Sequence, residues 1–386
     1  MPQIMTIRRR HDTTTRDDTD GNYQSLSCPS LVLPLTSVLP EPATGIVRPR
    51  NPELSPVAAR LRALTRRLRE QMPTPSAVSA ELAAAGAELG ALMPAGVPVV
   101  AQVETTSEVE GSIDYDHYFG FVRVAELPRD VLAAQIVVTG AAVLAEMSTA
   151  PIALDESISA LDAIGEMLGW CATTSVAVRE TASRVAGKPF ADASVEVRAE
   201  YRWIIGHHLF NLSTVFCLAE IQRAQARAVA GDDGATADAL LAAARYLRAT
   251  TAAMWFAGAF PAELYLRHVR PSMAVLSGRE TGFSGTQNLD YHRLRRAIDG
   301  LRIALAATPV RESTAVRAAH AVFTEIEIQD VEHHILIAAA KVGGTEPSLL
   351  SHANRAELPS HVDLVPAVEV LRDLAEQRRA NREYEA

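Results

Sequence analysis

Apolar residues recur at helical rather than strand spacing over most of the chain, in long stretches with no strict alternation. SPVAARLRALTRRLREQM predicts a helix over 55–72, with Ser55 as cap and Pro56 in the first turn, and SAVSAELAAAGAELGALM a second over 76–93. From Pro128 onward the same periodicity predicts helices near 128–147, 153–184, 193–230, 234–257, 288–306, 313–341 and 364–382. AGDDG at 230–234 is a turn between two of them, and 94–114 is a break rich in glycine, proline and polar residues. Residues 270–288, RPSMAVLSGRETGFSGTQN, look irregular, and a long irregular loop inside a helical body is usually functional. No solenoid repeat and no sustained heptad seam emerges.

The expected fold is therefore all-α. Residues 1–55 form a loose arm interrupted by prolines, 56–127 a small helical N-terminal region, and 128–386 a large helical domain. Composition agrees with helix, because the aromatic residues that favour strands make up only 5% of 386 residues while 48% are hydrophobic. A net charge of -9 argues against a nucleic-acid partner, which needs a basic surface. The N-terminus has no apolar signal core, and the most apolar stretch, 133–147, is shorter than the roughly 20 residues of a membrane span. Cys28, Cys171 and Cys217 are too widely spaced for a disulfide framework or a zinc knuckle. A cytoplasmic protein without a membrane association is expected, with a homo-oligomer left open.

The candidate chemistry lies in histidines and arginines. Two doublets, His207–His208 and His333–His334, sit in apolar helical runs. Successive helical residues point about 100° apart, so one member of each doublet can face a given pocket while the other needs a hydrogen bond or the surface. No HEXXH is present, Asp330-Val-Glu-His333 supplies one imperfect half of a di-iron motif, and DDGATAD at 232–238 lies in a turn. A single imidazole in an apolar wall, as haem iron requires, remains open. Arg267 and Arg270 stand beside the irregular stretch, where a guanidinium could grip a carboxylate. Gly278, Gly282 and Gly285 would let backbone approach a flat ligand, with Ser284, Thr286 and Gln287 as hydrogen-bonding groups.

Four segments in order resemble the haem-dependent aromatic oxygenase superfamily of tryptophan and indoleamine 2,3-dioxygenases, with the pyrrolnitrin-pathway enzyme and bacterial tyrosine hydroxylases as relatives. WIIGHHLFNLSTVFCLAEIQ is similar to the distal helix, YLRHVRPSM to the substrate-carboxylate segment, GFSGTQNLDYHRL to the Gly/Ser-rich stretch, and HILIAAAKVGGTEPSLL to the proximal helix and its loop. SIDYDHYFGFVRVAEL at 112–127 is similar to the Tyr-rich segment of those enzymes. The resemblance implies a helical bundle of the dioxygenase type holding haem b through His334, with His333 as runner-up and Gly282, Ser284 and Gly285 near the cofactor. It implies His207 as the catalytic residue beside the substrate ring. Arg270, with Arg267, would hold the carboxylate, Trp203 and Tyr265 would wall the pocket, and Ser284 and Thr345 would bind the amino acid group. Asp330 is a candidate partner for His334, though a solvated carboxylate is the plainer expectation.

The loop reads VGGT where the dioxygenases carry Gly-Thr-Gly-Gly, and about 70 residues separate the Tyr-rich segment from the distal helix. These departures imply a divergent enzyme of bacterial specialised metabolism acting on tryptophan, tyrosine or a modified relative. Three activities are compatible with the pattern: oxygen-driven dioxygenation, peroxide-driven hydroxylation of tyrosine, or haem and ligand binding without turnover.

Overall fold

The computed structural model describes residues 31–34, 39, 54–71, 73–92, 112–125, 127, 129–173, 193–276 and 287–343, with positions 369, 372, 373 and 376. Its elements in chain order begin with β1 (Leu31–Pro34), α1 (Leu54–Gln71), α2 (Pro75–Ala91), α3 (Ile113–Phe119) and β2 (Phe121–Val124). There follow α4 (Arg129–Met147), α5 (Leu154–Thr173), α6 (Val195–Val229) and α7 (Asp233–Ala257). The last group is α8 (Ala262–Leu264), a π-helical turn (Tyr265–Val269), α9 (Arg270–Leu276), α10 (Leu289–Ala307), a 3-10 turn (Pro309–Glu312) and α11 (Thr314–Val342). The fold is all-α apart from one pair of four-residue strands.

The long hairpin of α6 and α7 organises the rest. Asp232 caps α7 by accepting the Ala235 N–H at 3.0 Å, and Gly231 takes the left-handed φ of 72° that reverses the chain. The two helices approach closely near the site end. A Cβ on Gly206 would lie 2.5 Å from the Ala257 Cβ, so only glycine lets them meet. α11 packs on α7, α10 on α6, α5 on α7 and on α1, and α4 on α2 and α6. By length and composition α6 could cross a membrane, but 78% of its apolar window is buried inside the fold. The sequence had pointed instead to 133–147, which lies within α4.

Three expectations change. Leu31–Pro34, inside the stretch read as a loose arm, is a buried strand paired in parallel with Phe121–Val124, Leu31 opposite Phe121. One buried apolar cluster runs from Leu31 and α1 through α6 and α7 to Phe323, so the core has no break near residue 127. Residues 270–276 are helical rather than irregular. Pro271 has no N–H and its ring crowds the carbonyl four residues back in an α-helix, and the wider π turn immediately before it accommodates that defect. The remainder of that stretch to 286, most of the helix expected over 364–382 and the end of that over 153–184 lie outside the described residues.

Candidate functional site

α6 delivers Trp203, His207, His208 and Asn211, which recur at three- and four-residue spacing toward α3 and the π turn. The His207 Nδ1 lies 2.6 Å from the Trp203 carbonyl oxygen. A carbonyl only accepts, so Nδ1 carries the proton and Nε2 keeps a bare lone pair. The Phe119 ring stacks on the imidazole at 4.0 Å and 17°, and Trp203 lies against it at 4.3 Å. Burial is the main reason its pKa falls to about 3. The Trp203 carbonyl opposes that fall, and the charges of His208 and His334 add to it. His207 as a whole residue is only half-buried.

His208 is 2% exposed and donates Nε2–H to the Phe119 carbonyl at 2.7 Å; burial pushes its pKa down to about 4. The first doublet thus divides into a residue stacked on the Phe119 ring and one bonded to the Phe119 carbonyl. The second divides in a similar way. The His333 Nδ1 accepts the Trp255 indole N–H at 3.0 Å. Because an indole only donates, this nitrogen is unprotonated, and its 3.5 Å approach to Glu156 is not an ion pair. Glu156 is held instead by both arms of Arg248, at 2.6 and 2.8 Å. His334 is exposed, which corrects the expectation of a histidine enclosed in an apolar wall, and it lies near enough to His207 to disfavour that ring's protonation.

The π turn adds Tyr265, edge-on to Trp203 at 5.6 Å, and Arg270, whose charge bears on the Tyr265 phenol. The structure therefore brings five expected residues into one chain of neighbours: Arg270, Tyr265, Trp203, His207 and His334. It leaves out Arg267, expected beside Arg270, which is a surface residue with a 73% exposed side chain paired to Glu263 at 3.0 Å. Asp330 is not solvated. It is buried and accepts hydrogen bonds from Thr251 at 2.8 Å and Thr250 at 3.3 Å. Gly278, Gly282, Ser284, Gly285, Thr286 and Thr345 lie outside the described residues.

Sequence reasoning passed over the residues that frame His207 from the other side. Arg123 is gripped by Asp116 through two 2.8 Å bonds and reaches Asp290 at 2.6 Å, all three buried. Breaking such a buried set by removing one member costs about 3–5 kcal/mol. It fixes α3 and β2 against α10 and so places Phe119 over His207. The signal available was SIDYDHYFGFVRVAEL, noted for its aromatic residues but not for its charges.

Among the described residues no three His, Cys, Asp or Glu side chains converge as a chelated ion would need, whereas macrocycle-held iron needs only one imidazole. The Trp203 Nε1–H is buried with no hydrogen-bond partner among the described residues, and an orphaned buried donor of this kind fits a site that takes a ligand. The class these features define is an all-α protein that gathers a neutral imidazole, aromatic rings and an arginine in one place. The comparisons give that class a name. The SfmD 3-methyl-L-tyrosine peroxygenase family model matches residues 32–321, and the chain belongs to that family of oxidoreductases. A 3-methyl-L-tyrosine peroxygenase of Streptomyces lavendulae is 31% identical over 283 residues, which are 71% of this chain and 73% of that protein. A crystal structure of reduced SfmD soaked with sodium hydrosulfite aligns at 24% identity and a TM-score of 0.43, over 71% of this chain and 91% of that one. His207, Trp203, Tyr265 and Arg270 fall within the family match, and His333 and His334 beyond it.

Proposed function

We propose that this chain is a haem-dependent peroxygenase that hydroxylates the ring of a tyrosine-type amino acid, 3-methyl-L-tyrosine or a close relative. The observation that carries the reading is the fixed tautomer of His207, a neutral acceptor at any pH well above 3, walled by aromatic rings. Family membership favours the peroxide alternative over ring-opening dioxygenation of tryptophan. The cofactor of this reading is haem b, which supplies the iron centre at which peroxide is activated. One peroxide oxygen enters the ring as a hydroxyl and the other leaves as water.

The chain's own groups bind and orient. Arg270 grips the substrate carboxylate with its planar fork, while Trp203 and Tyr265 wall the ring. The His207 Nε2 accepts the phenolic O–H, which orients the ring and draws electron density toward the carbon to be hydroxylated. His334 would hold the iron. His333 is the weaker choice because its Nδ1 accepts the Trp255 N–H, which puts the ring proton on Nε2 and leaves no bare nitrogen for iron. Ser284 and Thr345 for the amino acid group, and Gly282 and Gly285 beside the cofactor, keep the roles that the superfamily resemblance implies.

The test is product mass from the haem-loaded protein given 3-methyl-L-tyrosine, L-tyrosine or L-tryptophan, each with peroxide or with oxygen and reductant. Gain of one oxygen atom by a tyrosine-type substrate with peroxide is expected. Gain of two by tryptophan with oxygen would establish a dioxygenase instead, and binding without turnover a carrier.

A further inference from the structure

We propose that Asn288 is a positioning residue for His207, holding the imidazole where it meets the substrate ring; this rests on the role given to His207 above. Asn288 is 1% exposed, and its amide uses both N–H donors and its oxygen in hydrogen bonds. Its Oδ1 accepts the Tyr291 N–H at 3.0 Å, capping α10. Its Nδ2 donates to the Tyr115 hydroxyl at 2.9 Å and to the Asn211 Oδ1 at 3.0 Å. Only this amide orientation matches each atom to a partner of the opposite kind.

Both donated bonds lead to His207. Asn211, fully buried, passes one on by donating its own Nδ2–H to the His207 carbonyl at 2.8 Å. Tyr115 packs on Phe119 at 4.7 Å, and Phe119 stacks on the imidazole at 4.0 Å. The backbone and the ring of His207 are therefore referred to one carboxamide, itself fixed to α10. Two residues further on, Asp290 ties the same helical turn to Arg123.

The chemistry separates positioning from capping. Aspartate and serine cap a helix about as well as asparagine. Neither supplies the pair of N–H donors that Tyr115 and Asn211 receive. A residue serving only the cap would tolerate both substitutions, and a residue that positions His207 would tolerate neither.

The experiment compares Asn288→Asp, Asn288→Ser and His207→Ala with the wild type as haem-loaded enzymes, and as nitrogen-15 histidine-labelled protein without haem. We expect kcat to fall roughly 10–100-fold in both Asn288 variants, as when the partner of a site histidine is removed, with the fold retained and the unfolding midpoint lowered by the two buried hydrogen bonds lost. The ring nitrogen resonances of His207 should shift in both, while those of His333 stay in place. Wild-type kcat and unshifted His207 resonances in either folded variant would overturn the proposal. Loss of folding in both would also overturn it, since Asn288 would then serve stability alone. If His207→Ala itself turns over normally, the reading of His207 fails; if that variant is inactive while Asn288→Ser is not, only the role of Asn288 falls.

Discussion

Replacing His208 with glutamine should remove about 2 kcal/mol of acid sensitivity from this fold while sparing its stability at pH 7. The histidine is buried, donates Nε2–H to the Phe119 carbonyl, and has its pKa lowered by burial from 6.5 to about 4. A lowered histidine pKa means that the unfolded chain takes up a proton which the folded chain refuses. The stability is thus fully present above about pH 6.5 and lost as pH falls toward 4. At pH 5 the unfolded imidazole is almost wholly protonated and the folded one mostly neutral, and the difference amounts to roughly 2 kcal/mol. Glutamine places an amide N–H where Nε2–H was and does not titrate. Asp116 and Glu220, whose carboxyls burial raises above the usual range, act in the opposite sense, and His207 in the same sense. The difference between variant and wild type cancels all three. Urea unfolding at pH 7 and pH 5 measures it. Equal losses of stability on acidification in the two proteins would refute the argument that His208 is held neutral by the fold.

Arg270→Ala should weaken use of the amino acid by about 10–100-fold in kcat/KM, the worth of a charged hydrogen bond, while leaving the corresponding amine without a carboxylate nearly unaffected; steady-state kinetics with the two substrates distinguishes this from general damage. Because His207 is already neutral, the acid limb of the kcat/KM profile should not contain an ionisation near 6.5 that disappears in His207→Gln. Gly206→Ala should lower stability by about 1–3 kcal/mol, since its methyl would meet Ala257, and calorimetry would show the fall in Tm. Arg123→Leu, leaving Asp116 and Asp290 buried without their cation, should cost about 3–5 kcal/mol in chemical unfolding, more than Arg267→Leu at the surface.

The helices were legible because their apolar spacing and caps are local. Asp232 and Gly231 announce the turn between α6 and α7, and its structure follows. The strand pair was not legible, because four apolar residues among prolines at 31–34 gain strand character only from a partner at 121–124 that is remote in sequence. Residues 270–276 were read as irregular because proline disrupts an α-helix, whereas here the π turn just before Pro271 accommodates it. For the site, Trp203, His207, Tyr265 and Arg270 could be named from their run of residues. Which histidine of a doublet is tied up by a hydrogen bond depended on the Phe119 carbonyl and the Trp255 indole, groups brought up by distant segments. Asn288 looks in sequence like an ordinary helix cap, and only the folded chain brings Tyr115 and Asn211 to its two remaining hydrogens.

The central claim is that this chain binds haem and that His334 would hold its iron. Its most direct measurement is the absorption spectrum of protein titrated with haem, for wild type and for His334→Ala. A saturable Soret band at one haem per chain, displaced in the variant, is the predicted result. A wild-type protein that binds no haem would contradict the account, and an identical band in His334→Ala would remove its choice of ligand.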